Sequence, residues 1–103
     1  MKTHMKTHNI LAELSVIVFK EGEKYVAYTP ALDLSSSGST CEQAQKRLVE
    51  AINIFIEETL KMGTLDNVLI DCGWQKVSKP QKHWIPPHII AHVEQQVKIP
   101  VAI

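Results

Sequence analysis

STCEQAQKRLVEAINIFIEETLKMG, residues 39–63, is the stretch of this sequence that decides the fold. Seven of its apolar residues recur at steps of one, three and four, so they lie on one stripe of a helix with 3.6 residues per turn. Charged and amide residues fill the opposite side. The stripe consists of Ala44, Leu48, Ala51, Ile52, Phe55, Ile56 and Leu60. This pattern predicts one long amphipathic helix, whose apolar stripe must pack against the rest of the chain.

Both ends of this helix carry sequence signals. Ser39 or Thr40 can cap the first backbone amides. Glu42 or Gln43, three residues further on, can complete a capping box. Gly63 can adopt the left-handed conformation that commonly ends a helix. The helix is therefore predicted to run between these signals.

Three strands are predicted before the helix. Residues 10–20 alternate between two faces, and one face is uniformly apolar, which predicts a strand with a buried side. That face carries Ile10, Ala12, Leu14, Val16 and Val18. A polar turn with Gly22 precedes the second strand, 25–29, which ends at Pro30 because proline cannot donate a ladder hydrogen bond. Residues 32–37 are predicted to form a short third strand.

These elements predict a two-layer α+β domain. Its sheet has three to four mainly antiparallel strands and packs against the long helix. The centre of the helix stripe is expected to be almost fully buried against the first strand. This contact is expected to join Leu48, Ile52, Phe55 and Ile56 to Leu14, Val16 and Val18.

The chain after the long helix carries weaker signals. A short second helix is predicted with Thr64 as its cap and Gly73 just behind its end. Its apolar residues at helical spacing are Leu65, Val68, Leu69 and Cys72. Residues 74–77 are predicted to add a fourth strand to the sheet.

The last segment, residues 78–103, is predicted to be a C-terminal helix/strand extension. Pro87 is a favourable first residue for a helix that runs to about Gln96. Residues 97–103 alternate like a strand, and Pro100 confines that strand to an edge or an irregular pairing.

Length and composition limit the possible classes of protein. The 103 residues suffice for one domain, assigned to residues 10–77, after a disordered or duplicated start at 1–9 where MKTH occurs twice. The formal net charge is zero, so no global charge attracts the chain to nucleic acid or to an anionic membrane. No apolar run is long enough to span a membrane. Cys41 and Cys72 form no disulfide framework, so a reduced, cytoplasmic protein is expected.

The run YVAYTPALDLSSSGSTCEQAQKRLVEAINIFIEE, residues 25–58, resembles the HicB family of antitoxins. It has that family's strand ending in Tyr-Val-Ala, then a proline, an Asp-Leu strand, a Gly-x-Thr turn and a helix that opens with acidic and amide residues. The later LDNVLIDCGW resembles the short helix ending in Gly-Trp of some longer members. The motif residues are Tyr25, Tyr28, Pro30, Asp33, Gly38 and Thr40.

The resemblance implies a partial ribonuclease-H-like fold and a role as the antitoxin of a toxin–antitoxin pair. The partner it implies is HicA, a small mRNA-cleaving toxin whose active surface the antitoxin covers. Family antitoxins often repress their own operon through a C-terminal DNA-binding domain. After Val77 neither helix-turn-helix spacing nor a basic cluster follows, so operator DNA binding by this chain stays open.

Two other hypotheses stay open beside the antitoxin. A nucleic-acid-binding regulator would use cationic residues interleaved with aromatic ones, on which bases can stack. These residues are Trp74, Lys76, Lys79, Lys82 and Trp84. The other hypothesis is a stand-alone oligomeric scaffold without a toxin partner.

A homo-oligomer, a dimer or higher, is predicted because an unpaired apolar edge strand is an aggregation risk unless a second chain pairs with it. The residues predicted to contribute are Trp84, Ile85, Val97, Ile99, Val101 and Ile103.

Catalysis is not predicted. A ribonuclease-H site needs several converging carboxylates to hold two metal ions, and the predicted sheet offers only Glu13 and Asp33. Asp33 is instead expected to accept hydrogen bonds from turn amides near Gly38. His88 and His92 have zinc-ligand spacing if they lie on a helix, but no third ligand has a diagnostic spacing. The other candidate ligands are His83, Cys72 and Glu94. No enzyme activity, cofactor or metal is therefore predicted, and the roles of the histidines stay open.

Overall fold

A computed structural model describes residues 11–103, and its architecture is α+β, as predicted. The predicted disordered or duplicated start at residues 1–9, and Ile10, lie outside the described residues. The helices and strands of the described chain follow in the order β1 (Ile17–Glu21), β2 (Lys24–Thr29), β3 (Leu34–Gly38), α1 (Cys41–Met62), α2 (Leu65–Asp71), β4 (Gln75–Val77) and β5 (His83–Ile85).

The sheet is a three-stranded antiparallel meander in the order β1-β2-β3. Val18 of β1 lies opposite Ala27 of β2, and Ala27 lies opposite Ser36 of β3. The turn between β1 and β2 requires a positive φ at its first position, and Gly22 supplies it with φ 62°. The prediction of three antiparallel strands before the helix is therefore confirmed.

The first strand is shorter than predicted. It begins at Ile17 rather than at Ile10, and the described residues before it have no regular secondary structure. Its pairing stops at Tyr28 of β2, one residue before that strand ends ahead of Pro30. Because the partner strand ends one residue later, at Thr29, residues 11–15 have no residue of β2 opposite them. Val16 keeps 42% of its surface exposed.

The signals at both ends of α1 are confirmed. The Thr40 hydroxyl accepts a hydrogen bond from the backbone amide of Gln43 at 3.0 Å. The Gln43 side chain reaches back and accepts one from the backbone amide of Ser39 at 2.7 Å, so donors on both sides of the cap are satisfied. At the other end Gly63 has φ 73° and donates its amide to Leu60.

Helix α1 packs on the sheet through the beginning of its stripe. Ala44 and Leu48 are buried against Ala27, with Val18, Tyr25, Leu34 and Ile52 around them. Close approach at this end depends on Gly38, because a Cβ there would lie 2.7 Å from the backbone nitrogen of Ala44. The first turn of α1 therefore rests directly on the end of β3.

The second half of the stripe is less buried than predicted. Leu48 is almost inaccessible, but Ile52 and Phe55 are only half-buried, and Ile56 and Leu60 each keep 37% of their surface exposed. The short strands do not extend under this part of the helix. Ile52 packs on the first cluster and also on a second one, made of Ala31, Leu32, Leu69 and Trp74. Phe55 packs on the second cluster, with Leu14 as another neighbour.

The chain after α1 departs from the prediction in three places. The side chain of Thr64 does not cap α2. The segment predicted as a fourth strand of the main sheet is β4, which pairs with β5 as a separate two-stranded sheet. The predicted helix from Pro87 to about Gln96 and the predicted strand at 97–103 have no regular secondary structure. Within the part of the chain that the structure describes, no helix is long and apolar enough to cross a membrane.

Candidate protein-interaction surface

The buried residue Trp74 joins the second cluster to the turn between β2 and β3. Its indole nitrogen donates a hydrogen bond of 2.6 Å to the carbonyl oxygen of Ala31, and Trp84 packs on the same cluster. A buried indole has no free face on which a base could stack. Trp74 is therefore no longer a candidate for nucleic-acid binding.

The remaining residues of that set lie on or beside the β4–β5 hairpin. Lys76 donates a hydrogen bond to Asp66 at 3.1 Å and lies over the Trp84 ring, 5.6 Å from its centroid. The hydrogen bond to Asp66 raises the pKa of Lys76. Lys79 and Lys82 are exposed in the connection between the two strands. The structure thus brings Lys76 and Trp84 together, but both are engaged with groups of their own chain.

The motif residues around Asp33 form one local structure. The hydroxyl of Tyr28 donates a hydrogen bond of 2.9 Å to the carboxylate of Asp33. This hydrogen bond raises the pKa of Tyr28, because the bond requires the protonated hydroxyl. The backbone amide of Asp33 donates to Pro30, and Asp33 itself has φ 52°. The partner of the carboxylate is therefore Tyr28 and not the turn amides near Gly38 that the sequence suggested.

The candidate acidic and histidine residues are spread over the molecule. Glu13 is exposed and precedes β1, while Asp33 lies in the turn after β2. His88 and His92 lie in a segment without regular secondary structure, so the helical spacing that would place them on one face does not apply. Among residues 11–103, no three histidine, cysteine, aspartate or glutamate side chains are grouped as metal ligands would be.

The sheet face opposite α1 exposes apolar side chains. Phe19 is 45% exposed on this face, next to Val26 across the β1–β2 pair. An open depression of about 360 Å³ adjoins them, lined by Glu21, Lys24, Val26, Ser35, Ser36 and Ser37. The alternation in β1 indicated that Phe19 lies away from the core.

The longest exposed apolar surface belongs to the segment Pro86–Ile103, here called the arm. Its first residues contact the domain, since the backbone amide of Ile89 donates to the Ser15 hydroxyl at 3.4 Å and Pro87 lies beside Gly73. All its residues from Ile90 onwards are exposed. The large apolar ones are Ile90, Val93, Val97, Ile99, Val101 and Ile103.

The residues predicted for oligomerisation thus fall into two groups. Trp84 and Ile85 belong to β5, and Trp84 packs on the core of its own chain. The other four residues lie in the arm with about three-quarters or more of their surface exposed. Of the predicted residues, the four in the arm and Ile85, which keeps 40% of its surface exposed, are accessible to a partner.

Comparison of the sequence with protein-family models and with curated proteins found no match, and comparison with solved structures found none either. The functional proposals below therefore depend on the residues and on their geometry.

Proposed function

We propose that this chain is a HicB-like antitoxin, which binds a HicA-type mRNA-cleaving toxin and silences it without catalysis of its own. The observation that carries the proposal is that the residues resembling the HicB pattern form one continuous unit, from β2 through the first turn of α1. Tyr28 and Asp33 close its turn, Gly38 allows the sheet and the helix to meet, and Thr40 caps the helix. Each of these four motif residues makes a contact with neighbouring residues of the same unit.

The distribution of apolar surface supports a protein-binding role. The described chain leaves large apolar side chains exposed on the sheet, on α1 and along the arm, among them Phe19, Ile54 and Val97. Along the arm these side chains follow one another closely in the chain, and an exposed apolar patch is typical of sites that bind other proteins. A protein partner that covers part of this surface would remove the cost of leaving it in water.

Growth rescue in bacteria tests the proposal. The toxin to use is the product of a short reading frame beside this gene, if it encodes a small basic protein with the single histidine expected of a HicA-type toxin. Its expression is expected to arrest growth, and co-expression of this chain is expected to restore it.

A matched control is Leu48→Asp, which places a charge in the core and is expected to abolish both folding and rescue. Growth that stays arrested although the folded native chain accumulates would overturn the proposal. The same is true of rescue that the unfolded variant provides equally well.

A further inference from the structure

Apolar and polar residues alternate along the arm, which is not the pattern of a helix. From Ile89 to Ile103 the odd-numbered residues are apolar except for Gln95. They are Ile89, Ala91, Val93, Val97, Ile99, Val101 and Ile103. The even-numbered residues are mostly polar. The polar ones are His92, Glu94, Gln96 and Lys98, and the others are Ile90, Pro100 and Ala102. Alternation with a period of two, rich in valine and isoleucine, is typical of a strand with one buried face. The arm has no regular secondary structure and is exposed from Ile90 onwards, so among residues 11–103 of one chain this strand has no partner.

We propose that the arms of two copies of this chain pair as an antiparallel β-ribbon whose two-fold axis passes through Gln96. The inference does not depend on the antitoxin proposal, because it uses only the arm. In this register, a residue of one copy lies opposite the residue of the other copy that is the same number of positions from Gln96 in the opposite direction along the sequence. Odd residues then lie opposite odd residues, so both apolar faces come to the same side of the ribbon.

The charges of the arm select this register. Glu94 and Lys98 are its only acidic and basic residues, apart from the two histidines. They are equally distant from Gln96, so Glu94 of each copy lies opposite Lys98 of the other, and the ribbon contains two cross-strand pairs of opposite charge. Shifting the axis to Val97 would place Glu94 opposite Pro100 and lose both pairs. An axis between two residues would place apolar residues opposite polar ones.

The proline of the arm is compatible with the same register. In an antiparallel pair, residues that exchange two backbone hydrogen bonds alternate with residues that exchange none. If the central Gln96 pair exchanges none, every even residue directs its backbone nitrogen away from the partner. Pro100, opposite His92, then loses no ladder hydrogen bond, which is the position that a strand tolerates for proline. Ile90 and Ala102, the apolar exceptions on the polar face, lie opposite each other.

A two-stranded ribbon is only marginally stable by itself. Its shared apolar face needs cover, and a second identical ribbon packed face to face would supply it. The full chain is therefore expected in light scattering at a mass that is an even multiple of one chain.

Charge reversal tests the register with the full-length protein. E94K alone places like charges opposite each other at both pairs, and so does K98E alone. Each is expected to raise the dissociation constant of the pair of chains by about tenfold. In a mixture of the two variants, both pairs regain opposite charges, so association is expected to recover. E94K/K98E in one chain is expected to associate like the native protein.

Cross-linking gives a second readout that does not depend on charge. Opposed residues that exchange no hydrogen bonds lie close enough for a disulfide, so Q96C in a C41S background is expected to form a disulfide-linked dimer under mild oxidation. The matched control is A102C, on the same face of the arm, because residue 102 of each copy lies far from residue 102 of the other. A monomeric native chain, single reversals without effect, a mixture that does not recover, or equal cross-linking of Q96C and A102C would each overturn the proposal. Association of the arm with a different protein alone would produce the first of these results.

Discussion

At Gly38 the lack of a side chain decides how closely the helix approaches the sheet. A Cβ at this position would lie 2.7 Å from the backbone nitrogen of Ala44 and 3.0 Å from atoms of Gln43. Two of those atoms are backbone atoms, which cannot rotate away as a flexible side chain could. The glycine in the Gly-x-Thr part of the motif is therefore required by packing and not by its backbone conformation, because its φ is not positive.

We expect Gly38→Ala to destabilise the domain by about 1–3 kcal/mol, as overpacking of a close contact does. Urea unfolding followed by circular dichroism measures this loss. The matched control is Ser35→Ala on the same strand, where the side chain is exposed and the change is expected to stay within about 0.5 kcal/mol. Equal losses for the two variants would contradict the close contact.

The two cysteines are expected to differ in reactivity. Burial raises the pKa of the Cys72 thiol, and the carboxylates of Asp33 and Asp71 raise it further, so less of the reactive thiolate is present at neutral pH. Cys41 is exposed at the start of α1. At pH 7.5, iodoacetamide labelling followed by mass spectrometry should modify Cys41 well before Cys72. In urea the two rates should become similar. Equal rates in the folded protein would contradict the described environment of Cys72.

At the scale of elements, the sequence was most informative where local signals agree. The period, the cap at Thr40 and the glycine at 63 all indicate α1, and the helix has the predicted ends. What covers the helix was not predictable, because that depends on strand lengths and on contacts between distant residues. The hydrogen bond from Trp74 to Ala31 joins residues 43 positions apart, and no local pattern indicates it. Pro87 was interpreted as a helix start, although the residues after it alternate with a period of two.

Two substitutions on the α1 stripe should separate the covered part from the exposed part. Leu48→Ala is expected to cost about 2–5 kcal/mol, because it leaves a cavity under a fully buried side chain. Ile56→Ala is expected to cost less than about 1 kcal/mol, because this side chain already keeps 37% of its surface exposed. Chemical denaturation of both variants gives the comparison. A loss at Ile56 as large as that at Leu48 would mean that a second surface covers the helix in solution.

At the scale of the molecule, the domain buries only some of its apolar side chains in its cores and leaves others exposed. The buried cores centre on Leu48 and on Trp74, while large apolar side chains remain exposed along the arm. The proposed toxin binding rests on the unit from β2 to α1, and the proposed pairing of arms rests on the alternation from Ile89 onwards. Both proposals assign the exposed surface to protein partners rather than to a small-molecule site.

A titration of ribonuclease activity tests the central claim most directly. The toxin from the neighbouring reading frame is incubated with a fluorescent RNA, and the full-length chain is added in increasing amounts. We expect cleavage to fall linearly and to vanish when folded chain and toxin are present in a fixed, small whole-number ratio, while the chain alone cleaves nothing with or without magnesium. Cleavage that persists at a large excess of folded chain would contradict the account. So would magnesium-dependent cleavage by the chain alone that Asp33→Asn abolishes.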